Sequence, residues 1–455
     1  MSRNQRRLER KRAKEDQRPP QPRAGLLREA VAHYHAGRRA EALAICLDVL
    51  AREPNRADLL GFAGGIALEL GEHAQATALY RKALALRPDY PDVEYNLALA
   101  LERSGALEAA AEAYRAALAR HPDLVPAWHN LGTVLLGLGQ PEEAVAAYRR
   151  ALAFGPLAES ERSLGIALER LGQLEEAVAA YRRALALKPD WSVAHNNLAY
   201  GLLALGDGAA ALAACERWLE AFPASVEATA LKALTLNEVG AVEEARALYD
   251  FDRFVQIHDL AAPPGYSSLA AFNADLVRHV EAHPTLKVPP EEHPTYHHPA
   301  LEITEELLAE PKGPMAALES LMRAAVARYL ASVPPSPPHP FLARFPERWT
   351  LTAWATRLCG WGNLVPHVHF DGYLGAVYYP LLPPVVTAED GGEAGWFELG
   401  RPPEQFRLEA APLIRRIQPK EGRLLLFPGY MYHNTVPFTA AERRISIAFD
   451  LVALA

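Results

Sequence analysis

One period governs more than half of this chain. Glycines recur at Gly37, Gly71, Gly105, Gly139, Gly172, Gly206 and Gly240, and prolines at Pro54, Pro88, Pro122, Pro156, Pro189 and Pro223. Both series step by 34 residues, with one step of 33 in the same unit. An alanine with an aromatic four positions on keeps the same beat: Ala76 and Tyr80, Ala110 and Tyr114, Ala144 and Tyr148, Ala177 and Tyr181, Ala245 and Tyr249. Such a period demands one supersecondary unit per repeat, here two amphipathic helices. Glycine falls where the first helix ends with positive φ. The small alanine lets the helices approach, the aromatic fills the gap, and proline stops the second helix. A single pair cannot bury its apolar face, so the pairs must stack.

The fullest unit, "WHNLGTVLLGLGQPEEAVAAYRRALAFGP" from Trp128 to Pro156, is similar to a tetratricopeptide repeat: W-x2-L-G, then A-x3-aromatic, then proline. The resemblance implies a superhelix with a concave groove over residues 24–255. Asn96, Asn130 and Asn197 take equivalent places on successive first helices, with Ser163 between them. A carboxamide both donates and accepts, which suits an extended peptide backbone, so these three are the candidate peptide-binding residues. Cys46 and Cys215 take the aromatic position of their repeats and read as buried packing residues.

Outside the repeat the composition changes twice. Residues 1–23 carry nine Arg or Lys against three Asp or Glu and almost nothing apolar, so they read as a basic disordered tail. The whole chain has a formal net charge of -8, so its body is acidic and nucleic acid is expected, if anywhere, only at that tail. The three cysteines, Cys46, Cys215 and Cys359, show no paired spacing, which argues for a reducing, cytoplasmic compartment. No long apolar run suggests a membrane span and no apolar h-region a secretory signal. The Ala, Leu, Arg and Pro richness suggests a GC-rich bacterial source.

Residues 256–455 form the second domain. Helical spacing marks 267–283 and 313–331, and from about 346 the pattern turns to short strands: "RWTLTAWATRL", "LGAVYYPLL", "GWFEL", "LIRRIQP", "GRLLLFP" and "RRISIAFDLV". Several short strands in so few residues suggest a jelly-roll barrel core over 346–455. The candidate chemistry starts in "HVHFDGYLGAVYY". His369 and Asp371 stand at i and i+2 and share one face of an extended segment. His433, after the apolar strand "LLLFP", is the candidate third ligand. Two histidines and one carboxylate on one face make the facial triad of non-heme Fe(II) oxygenases. Arg444 and Ser446 alternate on one strand face and would clamp a carboxylate, with Arg443 turned away. One of Tyr378 and Tyr379 must face inward, and Tyr379 is the candidate to touch a co-substrate. Trp396 is a candidate pocket wall, and His297 and His298 are loop residues.

H-x-D, a distal histidine and R-x-S about ten residues later resemble the 2-oxoglutarate/Fe(II)-dependent dioxygenases. Together with the repeats, "PHVHFDGYLGAVYY", "GRLLLFPGYMYHNTVPF" and "RRISIAFDL" resemble the bacterial 2OG-Fe(II) oxygenases fused to tetratricopeptide repeats. That resemblance implies a double-stranded β-helix in which His369, Asp371 and His433 bind Fe(II). Arg444 and Ser446 would bind the distal carboxylate of 2-oxoglutarate, and O2 would be consumed in hydroxylating a C–H bond of a protein or peptide held by the repeats. Members of the group often read H-x-H here, so His367 with His369 is the alternative pair. The charge of a carboxylate favours His369 with Asp371. Two other readings stand beside this one. One is a repeat scaffold whose barrel no longer turns over. The other is a metal-dependent cupin enzyme without 2-oxoglutarate, which would have no need of the R-x-S pair.

Overall fold

The computed structural model describes residues 23–289, 301–333, 339–344, 346–362, 364–369, 372–388, 392–404, 406 and 408–454. The basic tail up to residue 22, His297, His298 and Asp371 lie outside them. The chain divides into two compact units, 1–187 and 188–455.

In the first unit five helix pairs follow one another: Arg23–His35 with Arg39–Arg52, Ala57–Glu69 with His73–Leu86, Pro91–Arg103 with Leu107–Arg120, Val125–Gly137 with Pro141–Leu152, and Ala158–Arg170 with Leu174–Leu187. Every periodic glycine sits between the helices of its pair with φ of 72–80°, the left-handed region that only glycine enters freely. A second, helical glycine explains the aromatic. A Cβ on Gly64 would meet the Tyr80 ring at 2.6 Å, and one on Gly132 would meet Tyr148 at 2.7 Å. Both tyrosines are wholly buried against the missing side chain. The same position holds Ala30 and Ala199 in the repeats with Cys46 and Cys215, and Ala98 and Ala233 in those with Tyr114 and Tyr249, all buried, so only some repeats use glycine to seat the aromatic. Burial pushes the Cys46 thiol up to about 11 and the Cys215 thiol up to about 12, which keeps both protonated and inert.

The second unit opens with two more pairs, Ser192–Ala204 with Gly208–Ala221 and Val226–Glu238 with Val242–Leu248. A six-stranded antiparallel sheet follows in the order β1-β7-β4-β9-β3-β2: β1 Gln256–Asp259, β2 Leu301–Ile303, β3 Trp349–Gly362, β4 Gly372–Leu381, β7 Arg423–Pro428 and β9 Phe438–Ala453. A three-stranded sheet runs β6-β5-β8, from β5 Phe397–Leu399, β6 Arg415–Ile417 and β8 His433–Thr435. Phe397 of the small sheet lies 5.1 Å, ring to ring, from Phe427 of the large one, so side chains of both sheets meet in one core. The expected repeat helices and antiparallel two-sheet domain are both present. Strands β1 and β2 are additions. At four and three residues they are too short for a strand pattern to stand out in the sequence, and each adds a cross-strand ion pair to its backbone pairing, Asp259 with Arg423 and Glu302 with Arg357. The expected helices form at Leu269–Glu281 and Met315–Ser332. The first covers the sheet face that Tyr378 presents, and the Tyr378 hydroxyl donates to Asn273 at 2.5 Å.

The Gly132–Tyr148 fit predicts a change of sign. Gly132→Ala should cost about 1–3 kcal/mol by overpacking. In a Tyr148→Cys background the same change should be neutral, or should stabilise by roughly 0.5–1 kcal/mol through helix propensity. Urea unfolding midpoints of the four proteins give the coupling directly.

Candidate functional site

Three histidines converge between the sheets. His433 opens β8, and residues 364–369 run beside it. The His367 N–H donates to the His433 carbonyl at 3.1 Å and the His433 N–H to the His367 carbonyl at 3.0 Å, an antiparallel bridge. Residues paired in this way send their side chains to one side, and the two rings lie 4.3 Å apart, centre to centre. His369, two positions on, joins them, 4.7 Å from His433 and 5.5 Å from His367. One nitrogen of each imidazole lies within 4.8 Å of the others.

Hydrogen bonding orients all three rings. Nδ1 of His367 donates to the Val365 carbonyl at 2.8 Å, Nδ1 of His433 to the Met431 carbonyl at 3.0 Å, and Nδ1 of His369 to the Asp450 carboxylate. A carbonyl only accepts, so the proton sits on Nδ1 of His367 and His433 and Nε2 carries the lone pair when the ring is neutral. His367 and His433 are held neutral. Burial, then the charge His369 would carry, pushes His367 down to about 3. Burial, then His367 and His369, holds His433 well below the usual histidine range. Three imidazoles with a nitrogen each in one small cluster are a nitrogen donor set for a first-row transition metal.

Glycines make the room. A Cβ on Gly372 would meet Asp450 Oδ1 at 2.7 Å, and one on Gly375 would meet Phe427 at 2.7 Å and His369 Nδ1 at 3.1 Å. Gly429 accepts from the His369 N–H at 3.1 Å, and a Cβ there would strike the Gly372 carbonyl. Trp354 and Phe427 flank the His369 ring at 5.6 and 6.1 Å.

The same cavity reaches Arg444, Ser446 and Tyr379. Arg444 is only 2% exposed. Its Nη1 donates to the Gly395 carbonyl at 2.7 Å, and its guanidinium lies 5.4 Å from the Tyr379 ring centre and 5.6 Å from that of Phe438. Its Nε and the Tyr379 hydroxyl beside it meet no partner at strict hydrogen-bond geometry, the guanidinium and the hydroxyl interact with each other, and no carboxylate pairs with Arg444 among the described residues. Burial pulls Arg444 below the usual guanidinium range, and burial pushes the Tyr379 phenol up to about 12. Ser446 and Thr356 hydroxyls share a hydrogen bond of 2.7 Å. A buried cation with no carboxylate opposite it among the described residues, next to two hydroxyls, is a cradle for an anion. Arg443 faces out and pairs with Glu281.

His367, His369, His433, Arg444, Ser446 and Tyr379 therefore line one cavity, while Asp371 lies outside the described residues. Tyr378 points to the other face of β4, and Trp396 is half-buried away from the cavity. The candidate peptide-binding asparagines are half-buried, and Asn130 Nδ2 donates at 3.1 Å to both the Tyr95 and Tyr114 hydroxyls. Sequence reasoning missed Asp450, whose signal was its place in the series Arg444, Ser446, Ala448, Asp450 on one strand face. It also missed Asn237 and Glu238. Asn237 donates to the Ala411 carbonyl at 3.0 Å, and Glu238 accepts from the Glu409 and Ala410 N–H groups at 2.9 and 3.0 Å, so the last repeat grips backbone of its own chain.

A family model described as "Putative 2OG-Fe(II) oxygenase" matches residues 352–450, and tetratricopeptide-repeat models match residues 67–131, 129–190 and 192–217. The chain is a tetratricopeptide-repeat protein fused to a 2OG-Fe(II) oxygenase domain. The oxygenase match contains every residue of the histidine and arginine constellation. No curated protein matches this repeat–oxygenase chain. Solved structures similar to it include residues 41 to the end of MamA from Desulfovibrio magneticus RS-1, at 23% identity over 36% of this chain and 94% of that one, TM-score 0.35. YrrB, a tetratricopeptide-repeat protein with an unusual peptide-binding site, is 21% identical over 39% of this chain and 92% of its own, TM-score 0.36. The C-terminal part of a repeat-containing protein from Cytophaga hutchinsonii is 15% identical over 49% and 93%, TM-score 0.45. With TM-scores this low, none of these likenesses bears on the site. No described helix of the repeat–oxygenase protein is long and apolar enough to cross a membrane.

The buried histidines predict a pH dependence for the metal-stripped protein. An unfolded histidine takes up a proton below about 6.5, whereas His367 and His433 stay neutral when folded, so the unfolded state binds more protons there. Stability is fully present above pH 6.5 and falls as the pH drops below it, by about 1.4 kcal/mol per pH unit per histidine. His433→Asn should make the fall shallower by that amount between pH 6 and 4.5, measured by urea unfolding in chelator.

Proposed function

We propose that this chain is an Fe(II)- and 2-oxoglutarate-dependent hydroxylase whose repeats present a protein or peptide substrate. The observation that carries the reading is the buried Arg444, with no carboxylate partner among the described residues, lining the cavity onto which three imidazoles converge. The donor set suits Fe(II), and the buried Arg444 guanidinium with the Tyr379 hydroxyl beside it suits a carboxylate of a dicarboxylate. His369 and His433 are metal ligands in either version of the site. His367 is the third ligand the convergence favours, and Asp371 is its competitor. When bound, iron and 2-oxoglutarate supply oxidising chemistry: O2 is consumed, the 2-oxo acid is decarboxylated to succinate, and one oxygen atom is placed in a C–H bond.

The chain's own residues do the positioning. Arg444 neutralises the distal carboxylate of 2-oxoglutarate, Ser446 turns its hydroxyl between Thr356 and that carboxylate, and Tyr379 adds an O–H donor. Trp354, Phe397 and Phe427 wall the imidazoles and keep water from them. The repeats serve protein–protein contact, with Asn96 and Asn130 in the first unit and Asn197 in the second as the peptide-backbone contacts.

Anaerobic addition of Fe(II) and then 2-oxoglutarate should raise a metal-to-ligand charge-transfer band in the visible. His433→Ala should abolish it. Arg444→Ala should weaken 2-oxoglutarate binding by about 2–5 kcal/mol, at least roughly 30-fold in Kd. Of His367→Ala and Asp371→Ala, only the change to the true third ligand should abolish Fe(II) binding. A folded wild-type protein without the band would favour the scaffold reading, and Fe(II) binding with no response to 2-oxoglutarate would favour the cupin.

A further inference from the structure

The three imidazoles are not held alike. His367 and His433 each give their Nδ1 proton to a main-chain carbonyl two residues back, Val365 and Met431. His369 gives its proton to a carboxylate 81 residues away in sequence, that of Asp450. Backbone bonds two residues apart follow from local chain geometry. The His369–Asp450 bond exists only because the sheet brings two distant strands together, with Asp450 opposite Gly375 of β4 and Thr352 of β3.

Space has been cleared for that bond. Gly372 stands where any side chain would strike Asp450 Oδ1, and Gly375 where one would press on His369 Nδ1. The β4–β9 register slips between Gly372 and Leu374, which lets the segment carrying His369 lie over the end of β9. Arg444, Ser446, Ala448 and Asp450 take alternate places along β9, and the first three line the cavity. One strand face thus carries the carboxylate clamp toward one end and the support of a metal-facing histidine toward the other.

We infer that Asp450 is the positioning residue for His369: its carboxylate accepts the Nδ1 proton, fixes the tautomer and turns Nε2 toward the metal. The inference rests on the metal reading of the three histidines. It also addresses their charge. Three neutral imidazoles leave a divalent ion uncompensated, and Asp450 sets a negative charge one hydrogen bond behind one of them, which raises that ligand's basicity.

The test uses the full chain, stripped of metal and titrated anaerobically with Co(II), whose visible d–d absorption reports both affinity and geometry. Asp450→Ala should bind Co(II) about 10- to 100-fold more weakly than wild type and with an altered spectrum. Asp450→Asn keeps an acceptor oxygen at the same place and should recover most of that loss. Thermal melting of the metal-free proteins confirms that each is folded, and Asp450→Ser replaces the alanine variant if that one is not. An alanine or serine variant that binds Co(II) as tightly as wild type, with the same spectrum, would overturn the inference, as would an asparagine variant no better than alanine. A folded wild type that takes up no Co(II) would sink the metal reading itself, a result distinct from the other two.

Discussion

The reciprocal backbone bridge between His367 and His433 is the contact on which the site depends. It fastens an irregular segment to the edge of the small sheet, and by antiparallel geometry it turns both side chains to one side. With that pair fixed, His369 reaches the same point from two residues further on. The aromatic walls, the glycines that clear space and the Asp450 carboxylate all adjust the third ring to a position the first two define. If the bridge opened, three neutral imidazoles would become three separate surface or core histidines.

The site is costly to the fold that holds it. Two histidines are kept neutral against their ordinary tendency, and a guanidinium is buried without a carboxylate. Each of these disfavours folding. Their cost is offset by what surrounds them: Leu424, Leu425, Leu426 and Phe427 of β7 are almost wholly buried, as are Ile445, Ile447, Phe449 and Leu451 on the opposite face of β9. Features that destabilise a fold and face one cavity together are the mark of a site that binds something. A metal would use the lone pairs, and an anion would answer the guanidinium.

The repeats were legible because their signal is redundant: the same glycine, alanine, aromatic and proline return at one spacing, so a single exception such as Cys215 reads as an exception. Arg444 and Ser446 were legible because alternation along a strand puts them on one face, and His433 because it follows the apolar strand "LLLFP". Asp450 was not, although it continues that alternation, because a carboxylate near the end of a strand looks like any solvent-facing residue until the partner strand is known. The pairing of His367 with His433 was equally hidden, since it is a bridge of one residue with no strand pattern. Asn237 and Glu238 were hidden because their partner is backbone, which carries no side-chain signature. On the choice between Asp371 and His367, sequence chemistry favoured a carboxylate ligand; Asp371 lies outside the described residues, which do hold a carboxylate, Asp450, behind His369.

The central claim is that one cavity holds a metal on imidazole nitrogens and a dicarboxylate on Arg444. Crystals grown without oxygen in the presence of Fe(II) and 2-oxoglutarate, measured at the iron absorption edge, test it most directly. A single anomalous peak is expected within bonding distance of Nε2 of His369 and His433, with a carboxylate of 2-oxoglutarate against the Arg444 guanidinium. An iron peak elsewhere on the chain, or a 2-oxoglutarate molecule that leaves Arg444 without a carboxylate partner, would contradict it.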